Sequence, residues 1–350
     1  GGGIACGGLT IAVASKEGDF RGALWWATSA ERLGWRVGLC YNLVACAKPW
    51  TRVKLGEQQK VAGPRSGIKY RRRRYTFTME RSMSVELGDI RYLLIDMDGV
   101  LYRGQTGLPG GPELIAFLRE QGMPYLLVTN NSTLTPAQFV ARLGRMGIDV
   151  SEDSIMTSGV ATAAYLATLA PPGTKVNVVG EAALIEELEK RGFVMAGRDA
   201  QYVVCGWDKG INFEKLKTAC LAIRDGATFI GTNADKTYPL EKDLIPGAGS
   251  ILASLVAATD VEPIVVGKPE PIIIEQSLRM LAARAEDTAI LGDRLETDIL
   301  GGHRAGIITI MLLTGISTAQ EAAAYVAPPD FIFDDLPALI KAWKEALGGG

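Results

Sequence analysis

Two aspartates one residue apart, Asp96 and Asp98, end the apolar run in LLIDMDGVLYRG (residues 93–104) and are followed at once by Gly99. Side chains alternate along a strand, so residues two apart lie on one side and these carboxylates converge. Converging carboxylates repel. One must hold a proton, a cation or basic group must lie between them, or the chain must bend to part them. Read alone, D-x-D-G is also a turn that closes an ordinary strand. Further polar groups end other apolar runs: Thr129, Asn130 and Asn131 in YLLVTNN, Lys268 after PIVVG, and Asp293 after TAILG with Asp298 five residues on. Asp96, Asp293 and a backbone carbonyl near Asp98 offer oxygen donors without nitrogen or sulfur, which suits Mg²⁺ better than zinc. Mg²⁺ binds through few carboxylates plus substrate phosphate, so the set points to phosphoryl chemistry. There one aspartate can attack and form an acyl phosphate. A second can protonate the leaving oxygen and later activate water. Mg²⁺ and Lys268 would keep Asp96 ionised, while Asp98, off the metal through its side chain, can carry the proton.

Positioning these groups requires strands whose ends meet. From about Asp89 onward, short β-like runs alternate with amphipathic helices, the pattern of a mostly parallel sheet covered on both faces. The fold class expected is α/β, with a doubly wound, Rossmann-like core. YLLID (92–96) and PYLLVTNN (124–131) read as strands. GPELIAFLREQG reads as a helix with Pro112 near its start and Gly122 at its stop, and TPAQFVARLGRMG as one capped by Thr135 with Pro136 in the first turn. KVNVVG, YVVCG, TFIGTN, PIVVGKP, TAILGD, GIITIML and DFIFD read as further strands. They are too many for one small sheet, so part of the chain is expected to form an inserted second domain. In open α/β sheets ligands bind outside the carboxyl ends of the strands, where the polar residues above stand.

Composition narrows the chemistry. The 350 residues suffice for two or three domains, and 47% are hydrophobic, enough for a large core. A single histidine, His303, excludes phosphohistidine phosphatases and His-rich zinc hydrolases. Cys6, Cys40, Cys46, Cys205 and Cys220 are an odd set with no C-x-x-C pair, which argues against disulfides or a thiolate zinc site and for a reducing cytoplasm. No run of eighteen uncharged apolar residues suggests a spanning helix, so no membrane partner is expected. The opening IACGGLTIAVAS lacks a basic flank and is not taken as a signal. Residues 1–78 carry 14 Lys and Arg against 4 Asp and Glu, a net of about +10, leaving about −12 for the remainder. This stretch includes YRRRRY at 70–75, in the basic segment 65–75. It reads either as an arm for nucleic acid or another acidic partner, or, the preferred reading, as a disordered extension or sequence upstream of the true start at Met79 or Met83.

The motifs DMDGVLY, VTNNS, GKPEP and GDRLETD, in that order, resemble the four motifs of the haloacid dehalogenase superfamily. GTNADKTYP with PGAGS, between the second and third, resembles its subclass IIA, the NagD-like and 4-nitrophenylphosphatase-like enzymes related to pyridoxal phosphate and phosphoglycolate phosphatases. The resemblance spans about Asp89 to Leu347. It implies a catalytic core at 89–162 and 263–350, an inserted α/β cap of the C2 type at 163–262, and an extension at 1–88. It implies that Asp96 is the nucleophile, Asp98 the general acid/base, and Thr129 and Lys268 phosphate-binding groups. Mg²⁺ would be held by Asp96, the Asp98 carbonyl and Asp293, with Asp298 at the second acidic position. Gly99, Asn130 and Asn131 belong to the phosphate motifs. Asn233, Asp235 and Tyr238 are candidates to meet the leaving group, against the simpler reading of a solvated turn with an Asx interaction. PGAGS (246–250) and His303 read as structural, and Cys205 and Cys220 as core residues.

The activity expected is a Mg²⁺-dependent phosphatase that hydrolyses a small phosphomonoester metabolite through an aspartyl phosphate. A phosphosugar mutase would use the same intermediate, and a phospho-Asp receiver would use the same residue types. Receivers, however, are shorter and lack both the D-x-D pair and an inserted domain. A homo-oligomer is compatible with the sequence.

Overall fold

The computed structural model describes residues 53–55, 75–77, 85–239 and 243–348. Most of the expected extension at 1–88, with the arginine run at 71–74, lies outside them.

The first apolar run is strand β1 (Tyr92–Ile95), whose Leu93, Leu94 and Ile95 are fully buried, as a central parallel strand with both faces covered requires. The chain turns at Gly99, whose φ of 90° is open to glycine, and forms a small antiparallel hairpin of β2 (Tyr102–Arg103) and β3 (Thr106–Gly107). Helix α1 (Gly111–Glu120) has Pro112 in its first turn, and the chain leaves it through Gly122 at φ 61°. Strand β4 (Tyr125–Thr129) lies parallel beside β1. Helix α2 (Pro136–Gly144) starts at a capping box in which Thr135 Oγ1 accepts from Gln138 N–H and Gln138 Oε1 accepts from Thr135 N–H. Strand β5 (Ile155–Thr157) and helix α3 (Ser158–Ala167) follow.

A second sheet then begins with β6 (Lys175–Val179), β7 (Val194–Met195), β8 (Tyr202–Cys205) and β9 (Thr228–Gly231). Helices α4 (Ala182–Lys190), α5 (Phe213–Arg224) and α6 (Ala248–Thr259) accompany it, with an antiparallel ribbon of β10 (Thr237–Pro239) and β11 (Leu244–Pro246) before α6. Strand β12 (Ile264–Val265) completes a parallel sheet in the order β12-β9-β8-β6-β7. Here the structure differs from the expected boundary at 262/263, which assigns PIVVG to the core. Ile264 pairs with Ile230 and Val265 with Gly231, so this strand belongs to the inserted sheet. Two residues are too few to show by their own pattern which sheet they join.

The chain returns through α7 (Ile272–Leu281), β13 (Thr288–Gly292), α8 (Leu300–Ala305), β14 (Ile308–Leu312), α9 (Ala319–Ala324), β15 (Phe331–Phe333) and α10 (Leu336–Gly348). The first sheet runs β15-β14-β13-β1-β4-β5, all parallel. β1 has β4 on one side and β13 on the other, so the winding reverses at β1 and opens a crevice beyond its carboxyl end. On one face α1 and α10 meet through Phe117 and buried Trp343, their rings 5.9 Å apart. No helix among the described residues is long and apolar enough to cross a membrane.

Candidate active site

Register brings the ends of β1, β4 and β13 level, with Ile95 opposite Leu291 and Leu127. Asp96, Asp293 and Thr129 therefore arrive together at the crevice. Lys268 enters from the segment after β12 and fills the middle. Its Nζ donates to Asp96 Oδ1 at 2.5 Å, to Asp298 Oδ1 at 2.6 Å and to the Val128 carbonyl at 3.2 Å, one acceptor for each ammonium hydrogen. Lys268 is 2% exposed, Asp298 1%, Asp293 4% and Asp96 9%.

Asp96, Asp293 and Asp298 each present a carboxylate oxygen, and these three oxygens lie within 4.8 Å of one another. Three buried carboxylates face one ammonium. Burial raises the Asp96 pKa well above the carboxylate range, Lys268 pulls it back, and Asp298 and Asp293 push it further up. Burial also lifts Asp293 to about 6, reinforced by Asp298. For Lys268, burial disfavours the charged form, yet Asp298 and Asp96 overcome it and raise the ammonium pKa. Negative charge left in excess on a set of oxygen donors is what a hard divalent cation neutralises, so these residues fit one.

Missing side chains hold the acids in place. A Cβ on Gly99 would lie 2.4 Å from Asp293 Oδ2, one on Gly315 1.7 Å from the same oxygen, and one on Gly292 2.2 Å from Asp298 Cβ. Asp293 Oδ2 accepts from Ile316 N–H at 3.1 Å, and Asp298 Oδ2 from Arg294 N–H at 3.2 Å and Thr297 Oγ1 at 3.3 Å. Residues Leu295–Ile299 form a π-helical turn, a wide geometry frequent at functional sites. Asp98, by contrast, is exposed. Partial loss of water raises its pKa, and the guanidinium groups of Arg142, Arg294 and Arg103 oppose that rise. The turn behind it is fixed by Gly99 N–H donating to the Tyr102 carbonyl at 2.8 Å and by Thr314 Oγ1 donating to the Gly99 carbonyl at 2.7 Å.

The end of β4 carries Thr129, whose Oγ1 accepts from Asn131 N–H at 3.2 Å. Asn131 Oδ1 accepts from Thr133, and its Nδ2 donates to Tyr238 OH at 3.4 Å. Asn233 Nδ2 donates to the Asn130 carbonyl at 2.8 Å, and Asp235 N–H to Asn233 Oδ1 at 3.1 Å. The loop holding Asn233, Asp235 and Tyr238 thus contains the Asx interaction, but Asn233 is 5% exposed and bonded to the core, so it is not a solvated turn. PGAGS packs that loop: a Cβ on Gly247 would lie 2.3 Å from the Asp235 carbonyl oxygen, and one on Gly249 2.4 Å from that of Ala234. His303 sits on α8 and bonds the Pro328 carbonyl at 2.9 Å. Cys205 is buried and Cys220 half-buried, both free thiols.

Several residues at the site escaped the reading of the sequence. Trp207 stacks on Tyr238 with ring centroids 4.5 Å apart and planes 7° from parallel, and its Nε1 donates to the Pro246 carbonyl. It follows the carboxyl end of β8, the position that marked the others. Arg142 lies over the Tyr102 ring at 4.3 Å and donates to the Gly104 carbonyl; nothing in an ordinary amphipathic helix signals that.

The profile of the haloacid dehalogenase-like hydrolase family matches residues 93–194, and that of a HAD-hydrolase-like family matches 265–339. An acid sugar phosphatase of Staphylococcus saprophyticus is 39% identical over 249 residues, 71% of this chain and 96% of the relative. The chain belongs to the haloacid dehalogenase-like hydrolases. A second relative of this hydrolase is a 5'-nucleotidase of Bacillus subtilis, 38% identical over 69% of the chain and 94% of the relative. A solved 4-nitrophenylphosphatase from Thermotoga maritima superposes with a TM-score of 0.69 at 34% identity, covering 73% of this chain and 98% of its own. A hypothetical protein from Pyrococcus horikoshii superposes at 0.68 with 43% identity, covering 72% and 99%. This member of the family is a hydrolase of phosphoric monoesters, and its α/β fold is that of these structural neighbours.

Proposed function

We propose that this hydrolase is a Mg²⁺-dependent phosphatase that cleaves a small phosphorylated metabolite through an aspartyl phosphate on Asp96. The observation that carries the reading is the bonding of Lys268 to both Asp96 and Asp298, beside Asp293, with exposed Asp98 two residues along the chain. Bound Mg²⁺, held by Asp96, Asp293 and the Asp98 carbonyl with Asp298 alongside, would neutralise charge on the transferring phosphoryl group. Lys268, Thr129, Gly99, Asn131 and the backbone of Asn130 receive the phosphate. An Asp96 oxygen attacks phosphorus and the ester oxygen leaves with a proton from Asp98. Asp98, now ionised, takes a proton from water as its oxygen attacks the same phosphorus, and Asp96 is released with inorganic phosphate.

We assign the core to 89–162 and 263–350, apart from β12, and the cap to 163–262. The loop of Asn233, Asp235 and Tyr238 then meets the leaving group, with Trp207 behind Tyr238. The names of the two relatives point to phosphorylated sugars or nucleotides as the first substrates to screen. The free thiols of Cys205 and Cys220 support a reducing, cytoplasmic setting. Hydrolysis of 4-nitrophenyl phosphate should require Mg²⁺ and vanish in Asp96→Asn. Substantial turnover by that variant would remove Asp96 as nucleophile.

A further inference from the structure

The side-chain amide of Asn130 is fully occupied, and by two different parts of the molecule. Its Oδ1 accepts from the Lys268 N–H at 2.8 Å, while its Nδ2 donates to the Lys268 carbonyl at 2.9 Å and to the Asp235 carboxylate at 3.2 and 3.4 Å. The Asn130 carbonyl accepts from Asn233 Nδ2 at 2.8 Å and from Ser158 Oγ at 2.5 Å. The approach is close: a Cβ on Gly267 would lie 2.6 Å from Asn130 Oδ1 and 2.7 Å from the Thr232 carbonyl oxygen. On the other side of the same residue, Lys268 Nζ bonds Asp96 and Asp298. A continuous polar path therefore runs from the inserted domain's loop at Asp235, through one amide, to the backbone of the residue whose ammonium holds the nucleophile.

We infer that Asn130 is a positioning residue that makes the placement of Lys268 conditional on the seating of Asp235. The inference rests on the reading of Lys268 as a phosphate-binding group. Both Nδ2 hydrogens and the carbonyl oxygen are engaged within the protein, so Asn130 acts on the site through Lys268. When the loop withdraws, Nδ2 loses its Asp235 acceptor, and the amide that pins the Lys268 peptide is free to turn. A misplacement of about 1 Å at such a group costs on the order of 100-fold in rate. The amide would thus slow turnover while the loop is away from the core.

A double-mutant cycle on the full chain with Mg²⁺ tests this, reading kcat, KM and the inhibition constant for inorganic phosphate. Asn130→Ala and Asp235→Ala should each lower kcat/KM by about 10-fold or more and weaken phosphate inhibition. In the phosphate inhibition constant, which a leaving-group contact of Asp235 does not enter, the double variant should be no worse than Asn130→Ala, because both cut one path. Multiplying losses, or unchanged phosphate inhibition in Asn130→Ala, would overturn the inference; a purely structural role would lower the melting temperature and leave that constant alone. If Asn130→Ala fails to fold, Asn130→Asp replaces it, setting two carboxylates against each other. Adding Asp235→Asn should then restore part of the lost activity, and no recovery would equally overturn the inference. Lys268→Met separates the two levels: if it stays active, the role given to Lys268 fails, whatever the cycle shows.

Discussion

Replacing Lys268 by Met leaves an unbranched side chain one atom shorter and removes the ammonium shared by Asp96 and Asp298. All three residues are buried, so water does little to replace the lost charge. Breaking a buried ion pair by deleting one partner costs about 3–5 kcal/mol, because the remaining charge stays uncompensated. For a folded unit of this size each kcal/mol moves the melting temperature by about 2 °C, so the drop should be roughly 6–10 °C at pH 8 in EDTA. Asp96 can escape the penalty by taking up a proton. Lys268 holds the Asp96 pKa down against the rise caused by burial, so losing it raises that pKa further in the folded state, and the stability the proton confers is present at low pH and lost as pH rises. The difference between variant and wild type should therefore shrink by at least half at pH 5. Thermal scans at the two pH values read both numbers. A drop below about 2 °C at pH 8, or the same drop at pH 5, would refute the charge count from which the cost was worked.

Gly315→Ala should abolish Mg²⁺-dependent turnover, because its Cβ would fall 1.7 Å from Asp293 Oδ2 and force that carboxylate aside. Calorimetric titration with Mg²⁺ should show binding weakened by at least 10-fold, and wild-type affinity would count against Asp293 as a ligand. A second test concerns pH. Asp293 is raised to about 6 in the folded, metal-free protein, above its unfolded value, so its stabilising proton is fully present below about pH 4 and lost as pH rises through about 6. In EDTA the melting temperature should fall between pH 5 and 7, and Asp293→Asn should flatten that slope. A rising curve in EDTA would contradict the burial of Asp293.

The residues proposed to do the chemistry stand out in the sequence because three of them lie at the end of a strand. Asp96, Thr129 and Asp293 follow runs whose burial on both faces forbids polar residues until the strand leaves the core, so a polar residue there marks the crevice. The fold was legible for the same reason: parallel strands read as unbroken apolar runs and the helices as 3.6-residue stripes, with Thr135 and Pro136 opening α2 where expected. What stayed hidden depends on pairs remote in sequence. Asn130 read as part of a phosphate motif, yet its amide is spent on Lys268 and Asp235, more than 100 positions away. Gly315 carries no sign that its missing Cβ makes room for Asp293. β12 pairs with β9 by two residues, too few for any periodicity to announce its sheet.

The charge inventory also orders the events at the site. Asp96, Asp293 and Asp298, when ionised, set three negative charges against the one buried ammonium of Lys268, so the metal-free crevice is negative and buried, and a phosphate dianion entering it meets repulsion in a low dielectric. Two units of positive charge would bring the cluster to balance, after which Lys268 and the backbone donors are free to attract the dianion. Inorganic phosphate should therefore raise the melting temperature with Mg²⁺ present and leave it unchanged in EDTA. Binding of a ligand to the native state at 100 times its dissociation constant is worth about 2.7 kcal/mol, a shift of roughly 5 °C for a unit of this size. Equal stabilisation by phosphate in EDTA would mean that the three carboxylates do not govern access to Lys268, and the proposed order of metal before phosphate would fall with it.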